Sequence, residues 1–579
     1  MKYFAPFAFA LVAALAGASN ARAEVVIDLS YVDTNSSEYA RFKGFVDYAV
    51  QHPGNPGYLF AAADAAYMFK LTNQAQYCSL AVQLVDAQVS TAEQAISGGG
   101  APPVAGDSYL QSGPMISDLA ITYDWCAAQT TSSQRTRWSA YAQQTVWNIW
   151  NYQNATWGGR SYPWTGWSTD NPGDNYYYSF LAATMYWALA DDASICSGNT
   201  TCRDFLAAQS IPELETYFSN LPDGGSREGT GYGVSHKNLF LLYRMWRDST
   251  QQNIADENSH LTDSILYWTH ATVPTLDQFA PFGDQSRSSQ PILYDYHRHL
   301  MLEAHRMTDD ASAAAVATWW LDHISVPEMM SSFNYRFDLL PAGAGGSPPA
   351  DLYYHALGTG HLFARTGWDT GAMWLAFAAG PYVESHAHQD QGSFTLYQNT
   401  WLAVTENIWS HSGIQQGTEV ANLVRFNKSD GSIIPQRTNT TSTLAITSTG
   451  PGGALEATAN LSPAYGSGSN VTSWTRDINF ANRSLTVHDH YSVSGGATGT
   501  FQINVPNQPS VSGNTITAGG MTVQVLTPSN PTITLVNWSQ TDSDYNSGWR
   551  IDIGGGAGEY LVQMSAAAPP EEVFANGFD

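Results

Sequence analysis

Two histidines and an aspartate at alternate positions, His386, His388 and Asp390, form the sharpest chemical signal in the sequence. If this segment is extended, alternate side chains project from one face and the three groups lie together. Two imidazoles beside a carboxylate make either a metal half-site or an acid–base cluster. The competing interpretation is a surface strand with chance histidines. It is less favoured, because such triplets rarely arise in a chain with 15 histidines.

The first of the elements that must position these groups are helices. From about residue 36 to 341, apolar residues recur at i, i+3 and i+4, which predicts amphipathic helices. The clearest segments are 60–69, 139–147, 180–187 and 239–246. Helix and loop alternate without a repeat of fixed length, which indicates stacked helical hairpins rather than a solenoid.

A breaker cluster, Pro341–Pro349, then separates two halves of the chain. After it the apolar period changes to two, as in 443–447, 484–490, 521–526 and 560–564, which is typical of an antiparallel sandwich. The predicted fold class is therefore α+β, with more than one domain. We place the domains at residues 24–345 and 350–566, followed by a short acidic tail at 567–579.

The N-terminus has the pattern of an export signal. Lys2 precedes an apolar run that ends near Ala18, and Ala21-Arg22-Ala23 is a small-x-small cleavage site. This predicts a signal peptide at residues 1–23. A membrane anchor is the alternative, but the run is short for a span. We expect a secreted or periplasmic protein that has no membrane attachment once the signal is removed.

Composition argues against two broad classes of protein, globally disordered chains and nucleic-acid-binding proteins. Hydrophobic residues make up 43% of the chain and charged residues 13%, so a large core can form and global disorder is excluded. Lys plus Arg number 24 against 50 Asp plus Glu, which gives a net charge of -26. A nucleic-acid partner is therefore not expected, because such proteins need a basic face.

The four cysteines suit an oxidising compartment. Cys196 and Cys202 bracket a short polar loop, which favours a local disulfide. Cys78 and Cys126 lie in helix-like segments, where they either join two helices or remain buried thiols. The absence of a CxxC pair argues against a thiolate zinc site.

A set of motifs connects the two halves. The segment 385–397, Ser-His-Ala-His-Gln-Asp-Gln-Gly-Ser-Phe-Thr-Leu-Tyr, resembles the signature that opens the C-terminal β-domain of the heparinase II/III-like polysaccharide lyases, and 363–368 resembles the strand that leads into it. In the helical half, 118–125 resembles that group's recurrent helix, 223–232 its catalytic tyrosine loop and 281–284 a further cleft loop. The resemblance covers most of the mature chain in the right order. It implies an N-terminal α/α toroid, or incomplete barrel, packed on a β-sandwich with a cleft between them.

Such lyases cleave anionic uronate polysaccharides, of the alginate, glucuronan or glycosaminoglycan type, by β-elimination without a required cofactor. The C5 proton of a uronate leaves only if the neighbouring carboxylate is neutralised or hydrogen-bonded, so that charge can build there. A base must take the proton and an acid must protonate the leaving O4. A tyrosine can serve both steps if nearby positive charge lowers its pKa from about 10.

The resemblance assigns the catalytic roles to Tyr232, His386 and Asn175, with Asn175 as the group that binds the carboxylate. Each assignment competes with a structural interpretation. Tyr232 would otherwise be an aromatic packed under a Gly-rich loop, and Asn175 would be the N-cap of the helix that follows it. The order of base and acid between Tyr232 and His386 stays open.

The expected substrate-binding residues are Tyr176, Arg227, Glu228, His236 and Arg365. Relatives often have histidine where this chain has Tyr176, so either Tyr176 substitutes or a helper is lost. His236 would fill that gap, or it is simply a histidine at a helix terminus. Arg227 and Arg365 are candidate carboxylate binders, although a structural salt bridge is the commoner role of an arginine.

Some relatives also hold a structural zinc through the second His of His-x-His, a later acid and a third His. Here His388 is present and Glu406 lies near the place of the acid, but Ala421 stands at the third position. His411 is the candidate replacement. A structural zinc or other divalent ion at His388, Glu406 and His411 is thus an open alternative to a metal-free domain.

Two other function classes compete with the lyase. A glycoside hydrolase on a helical toroid would need two carboxylates across a cleft, and Asp174, Glu228 and Asp284 are candidates. The acidic balance slightly favours this class, because a polyanion is repelled at long range. The third class is a non-catalytic glycan-binding protein with the same fold.

Overall fold

The computed structural model describes residues 24–285, 288–324 and 332–567. The predicted signal peptide and residues 568–579 of the predicted tail lie outside these described residues. Helices dominate the first half and antiparallel strands the second, so the predicted fold class is confirmed. Residues 341–350, which include the breaker cluster, contain neither helix nor strand.

Helices such as Ser37–Gln51 and Ser132–Trp150 bury apolar residues at the predicted i, i+3, i+4 spacing, whereas Asn175–Ala190 is buried on nearly all sides. All four helical segments read from the sequence overlap helices of the structure. The helices are α1 (Ser37–Gln51), α2 (Ala62–Thr72), α3 (Ala75–Ser97), α4 (Ser112–Trp125), α5 (Ser132–Trp150), α6 (Asn175–Ala190), α7 (Cys202–Phe205), α8 (Ile211–Ser219), α9 (Thr230–Gly233), α10 (His236–Thr250), α11 (His260–Ala271), α12 (Asp295–Met307) and α13 (Ala311–His323). Two short hairpins accompany them, β1 (Thr156–Trp157) with β2 (Arg160–Ser161) and β3 (Ile195–Ser197) with β4 (Thr200–Thr201).

Both predicted disulfides form within this half. Cys78 on α3 bonds Cys126 at the end of α4, with 5.4 Å between their Cα atoms. Cys196 bonds Cys202 across the β3–β4 hairpin, with 4.8 Å between Cα atoms. No cysteine of the chain is left free.

The second half is built from three larger antiparallel sheets and one two-stranded sheet. A five-stranded sheet contains β5 (Tyr353–Ala356), β6 (His361–Arg365), β7 (Trp374–Ala378), β9 (Phe394–Gln398) and β10 (Thr400–Ala403), and β8 (Pro381–Tyr382) pairs with β12 (Thr440–Thr441). A four-stranded sheet contains β11 (Val424–Asn427), β17 (Thr498–Val505), β21 (Thr532–Asn537) and β22 (Trp549–Gly554). An eight-stranded sheet contains β13 (Thr443–Thr449), β14 (Leu455–Asn460), β15 (Val471–Ala481), β16 (Ser484–Val493), β18 (Ser510–Ser512), β19 (Thr515–Ala518), β20 (Met521–Thr527) and β23 (Glu559–Ala566). A short helix, α14 (Trp538–Thr541), follows β21.

The five-stranded sheet joins the two halves because both of its faces are buried. On β6, Phe363 belongs to the core shared with the helices, whereas its neighbours Leu362 and Ala364 belong to the core of the sandwich. Side chains alternate between the faces of a strand, so one sheet can serve both cores. This sheet therefore fixes the position of the sandwich relative to the helical ring.

None of the helices in the described part of the chain is long and apolar enough to cross a bilayer.

Candidate active site

Three backbone segments meet where the helical ring contacts the sandwich, and two glycines allow the contact. Gly229 has φ +93° and Gly283 has φ +71°, a region that favours glycine. A Cβ at Gly283 would clash with the carbonyl oxygens of Glu228 and His386, and one at Gly229 with that of Phe282. Side chains on all three segments are thereby brought close together.

Residues 386–390 do not form a strand, so the condition under which their alternate side chains would share one face is not met. Residues 384–392 form turns and bends, and the strand begins only at Phe394. The backbone amide of Asp284 donates to the carbonyl oxygen of His386 at 2.9 Å, so the segment bonds to a loop of the helical half instead of a neighbouring strand. The two histidines still converge, but on Asp284 rather than on Asp390.

Asp284 is the centre of this cluster. One of its oxygens, Oδ2, lies 3.0 Å from Nδ1 of His386, and Oδ1 lies 2.8 Å from Nε2 of His388. Gln416 donates to both oxygens, at 3.2 and 3.0 Å. Burial alone would raise the pKa of Asp284, but hydrogen bonds with His386 and His388 lower this pKa to about 2. An ionised Asp284 suits the tautomer of His386 in which Nδ1 carries the proton and Nε2 is an acceptor.

Tyr232 lies directly on His386. Their rings are parallel within 1° and their centroids are 3.8 Å apart. The condition that nearby positive charge lowers the tyrosine pKa is not met: burial raises the pKa of Tyr232, and the carboxylates of Asp284 and Asp107 raise it further. The phenol thus keeps its proton at neutral pH and suits the role of donor.

Asp284, His386 and Tyr232 begin a row of polar groups that Asn175 and Glu228 complete. The N-cap of α6 is Asp174, whose side chain accepts from the amide of Tyr176, so the side chain of Asn175 is not used as a cap. Instead Nδ2 of Asn175 donates to Oε1 of Glu228 at 3.2 Å, and the same oxygen lies 3.9 Å from Nε2 of His386. Glu228 is 1% exposed, and burial raises its pKa well above the usual range, which keeps this carboxyl protonated.

Two open spaces flank this row. Asn175 lines a cavity of about 350 Å³ inside the helical ring, together with Tyr178 and Arg336. A groove of about 430 Å³ runs between Trp167 and Asp174 on the helical side and Ser385 on the sandwich side. Trp167 is 47% exposed and offers a flat face of the kind on which sugar rings stack.

Tyr176 and His236 have different environments. Tyr176 is half-buried and its hydroxyl donates to Asp107 at 3.0 Å. Burial, followed by Asp107, raises the pKa of Tyr176 to about 12. His236 is buried among aromatic rings, including Phe218 and His260, and burial lowers its pKa well below the usual range. The surroundings of His236 are those of a structural histidine.

The guanidinium groups of Arg227 and Arg365 donate hydrogen bonds to backbone carbonyl oxygens. Arg227 donates to the carbonyl of Gly358 at 3.0 Å and to that of Asn220 at 2.7 Å. Arg365 is fully buried, stacks on Trp368 and donates to the carbonyl of His270 in α11 at 3.0 Å and to that of the C-cap Thr272 at 2.7 Å. Both side chains thus connect the helical half to the sandwich.

The predicted metal ligands do not fit a zinc ion. Nε2 of His388 already binds Asp284, and His411 is exposed on a separate turn. Glu406 is buried, neither of its carboxyl oxygens has a hydrogen-bond partner, and burial raises its pKa to about 10. Within residues 24–285, 288–324 and 332–567, His388, Glu406 and His411 do not form a cluster of ligand atoms.

Sequence reasoning missed the parts played by Gln416, Asp107 and Trp167. Gln416 and Asp107 reach the site through packing, and no local pattern marks them. Trp167 lies in a loop rich in Trp and Gly, where an exposed aromatic could have been suspected. From the sequence, Asp284 is a candidate hydrolase carboxylate in a motif that resembles a cleft loop, and its contact with the two histidines follows only from the packing.

The fold, a helical toroid joined to a β-sandwich, is an architecture shared with solved polysaccharide lyases. The structure of heparinase III superposes with a TM-score of 0.58 and 12% identity, over 94% of this chain and 80% of that chain. A heparan sulfate lyase from Pedobacter heparinus gives 0.52 and 15%, over 93% and 84%. The Streptomyces coelicolor chondroitin AC lyase, in complex with chondroitin sulphate, gives 0.52 and 11%, over 93% and 80%.

No protein-family model and no curated protein matches the sequence. The structural matches show that the chain shares the fold of these lyases, as the order of its motifs predicted.

Proposed function

We propose that this protein is an exported polysaccharide lyase that cleaves a uronate-containing polysaccharide by β-elimination. The observation that carries the proposal is the stacked pair of Tyr232 and His386, one from each half of the molecule, next to the Asn175–Glu228 pair. An imidazole, a phenol and an amide can supply the base, the acid and the carboxylate-binding group that the elimination requires. Both disulfides are consistent with export, and the signal peptide remains a prediction.

Asn175 binds the uronate carboxylate in this proposal. Charge moves onto that carboxylate as the C5 proton leaves, and a fixed amide donor stabilises it more than it stabilises the ground state. Glu228 is a positioning residue. Because its carboxyl is neutral, it holds the Asn175 amide without placing a negative charge beside the substrate.

His386 acts as the base and Tyr232 as the acid. Asp284 binds Nδ1 of His386 and stabilises the imidazolium that forms when Nε2 takes the C5 proton. Tyr232 retains its proton and donates it to O4 of the leaving sugar. The C5–H and C4–O4 bonds break, a C4–C5 double bond forms, and the acid and base are restored by proton exchange with water.

The stacked rings also favour one stereochemistry. Acid and base that lie on each other must approach the sugar from the same side, which suits a syn elimination. In D-glucuronate and D-mannuronate, C5–H and C4–O4 are in the syn relation, whereas in L-iduronate and L-guluronate they are anti. We therefore expect D-configured uronates to be the better substrates.

The hydrolase alternative is less well supported. Both oxygens of Asp284 are engaged by His386, His388 and Gln416, which leaves neither as a nucleophile or base. Glu228 is almost fully buried. The paired, accessible carboxylates of a glycosidase are not formed by these residues.

The test is a panel of alginate blocks rich in mannuronate or guluronate, glucuronan, hyaluronan, chondroitin and heparan-type polymers. Elimination produces ultraviolet absorbance from the new double bond. Tyr232→Phe is expected to lower the rate at which this absorbance increases by about 10²-fold or more. Its melting temperature should equal that of the wild type. The control is Tyr152→Phe, a half-buried tyrosine that packs on Trp164.

Three outcomes would overturn the proposal. New reducing ends without absorbance would indicate hydrolysis, and binding without either would indicate a glycan-binding protein. Full activity in Tyr232→Phe would remove this tyrosine from the mechanism.

A further inference from the structure

We propose a second functional site on the sandwich, a surface site for a divalent transition-metal ion formed by Asp477, His488 and His490. These residues lie on β15 and β16 of the eight-stranded sheet, not at the junction with the helical ring. The proposal is independent of the lyase activity.

The strand geometry places the three groups on one outward face. His488 and His490 are two residues apart on β16, so both project on the same side, and their ring centroids are 4.1 Å apart. Asp477 is the direct cross-strand partner of His488. The intervening Asp489 points into the core, where it pairs with the buried Arg476 at 2.7 Å and plays no part in the cluster.

One ligand atom from each residue can be chosen so that all lie within 4.8 Å of one another. In a tetrahedral site with bonds of about 2.0–2.2 Å, ligand atoms are about 3.3 Å apart. The difference is within the reach of side-chain rotations, because the three residues are exposed or half-exposed. This is the one such cluster among the residues that the structure describes.

A fourth oxygen lies beside the cluster. Glu559 on β23 is the cross-strand partner of His490, and its Oε1 is 2.7 Å from Nε2 of His488. Two imidazoles with one or two carboxylates favour Zn²⁺, Cu²⁺ or Ni²⁺ over Mg²⁺ or Ca²⁺, which prefer oxygen ligands. An ion here would cross-link β15 and β16 in the centre of the sheet.

The experiment uses the mature, tag-free protein after treatment with chelator. Zn²⁺ titrated by calorimetry is expected to bind with one equivalent per chain, and the affinity is expected to fall at least tenfold in His490→Ala and in Asp477→Asn. The matched control is His411→Ala, another exposed histidine, which should bind as the wild type does. Circular dichroism verifies that each variant is folded.

A spectroscopic measurement identifies the ligands. The electron paramagnetic resonance spectrum of Cu²⁺ bound to the wild type should show hyperfine coupling to two imidazole nitrogens. The spectrum of Cu²⁺ bound to His490→Ala should show coupling to fewer. Zn²⁺ should raise the melting temperature of the wild type and not of His490→Ala, whereas the rate of polymer cleavage should be the same in both. Equal zinc affinity in the wild type and in His490→Ala, or its loss in His411→Ala, would overturn the proposal.

Discussion

Tyr232, His386 and Asn175 come from three separate segments, and the surrounding structure defines the chemistry of each. Tyr232 is kept protonated by burial and nearby carboxylates. His386 is oriented by Asp284. Asn175 is held by a neutral glutamic acid. The proposed assignment of base and acid therefore depends on these neighbours more than on residue type.

Variants of Glu228 test the claim that its carboxyl is neutral. Glu228→Gln preserves a neutral group of the same shape, so kcat/KM is expected to remain within about tenfold of wild type. Glu228→Ala leaves Asn175 unsupported, and a misplacement of about 1 Å can reduce activity by about 10²-fold. Absorbance assays on both variants, with melting curves as the control for folding, measure the difference. Equal loss in Gln and Ala would mean that an ionised carboxylate is required.

Asp284 predicts a pH-dependent contribution to stability. Its pKa is lowered to about 2 in the folded protein, against about 3.9 in an unfolded chain. This difference contributes about 2 kcal/mol to the free energy of unfolding above pH 4, and the contribution is lost as the pH falls through 2. Asp284→Asn should therefore be less stable than wild type at pH 6, and the gap should narrow below pH 4.

Urea unfolding at several pH values measures that gap. The exposed Asp309→Asn is the matched control and should show a small, constant difference. If wild type and Asp284→Asn had the same free energy of unfolding at pH 6, the proposed interaction of Asp284 with the two histidines would be contradicted.

Single elements are placed by contacts at their ends. Asp174 caps α6 and so frees Asn175 for the site. Arg365, at the end of β6, binds the last carbonyls of α11, where the partial negative charge of the helix is concentrated. Because α11 precedes the loop that carries Asp284, these contacts bring that loop against the sandwich.

The two disulfides differ in the length of chain that they close. Cys78 and Cys126 are 48 residues apart, and Cys196 and Cys202 are 6 apart. The loop-entropy relation assigns roughly 4 kcal/mol to the longer loop and roughly 2 kcal/mol to the shorter one. Replacing each pair with alanines and following denaturant unfolding of the helical half should give the larger loss for Cys78 and Cys126. A larger loss of stability for Cys196 and Cys202 would contradict an entropic origin of the stabilisation.

For the molecule as a whole, the net negative charge of the protein repels the proposed anionic substrate. The chain has a net charge of -26, and a uronate polymer is also anionic. Salt shortens the range of repulsion, from about 30 Å at 0.01 M to about 10 Å at 0.1 M. We therefore expect kcat/KM for a polymer to rise several-fold over this range, because association is the step that repulsion slows.

Short oligosaccharides of the same polymer carry less charge and should show a smaller rise, which makes them the control. A steady fall of kcat/KM with added salt would mean instead that local positive charge in the cleft dominates binding.

Much of the architecture could be predicted from the sequence. The helical period in 60–69 and the two-residue period in 484–490 identified elements correctly, because periodicity depends on neighbours in the chain. The order of the motifs identified the fold, and the cysteine positions favoured the Cys196–Cys202 disulfide and allowed the one between Cys78 and Cys126. Tyr232, Asn175 and His386 were named from motifs alone.

Only the tertiary structure decided what surrounds these residues. The turn at 384–392, the union of His386 and His388 on Asp284, and the buried positions of Arg365 and Glu406 all depend on contacts between the two halves. The raised pKa of Tyr232 has the same origin, because it depends on burial and on charges from distant segments. Local sequence carries periodicity and motifs, whereas distances and electric fields between remote segments exist only once the chain has packed.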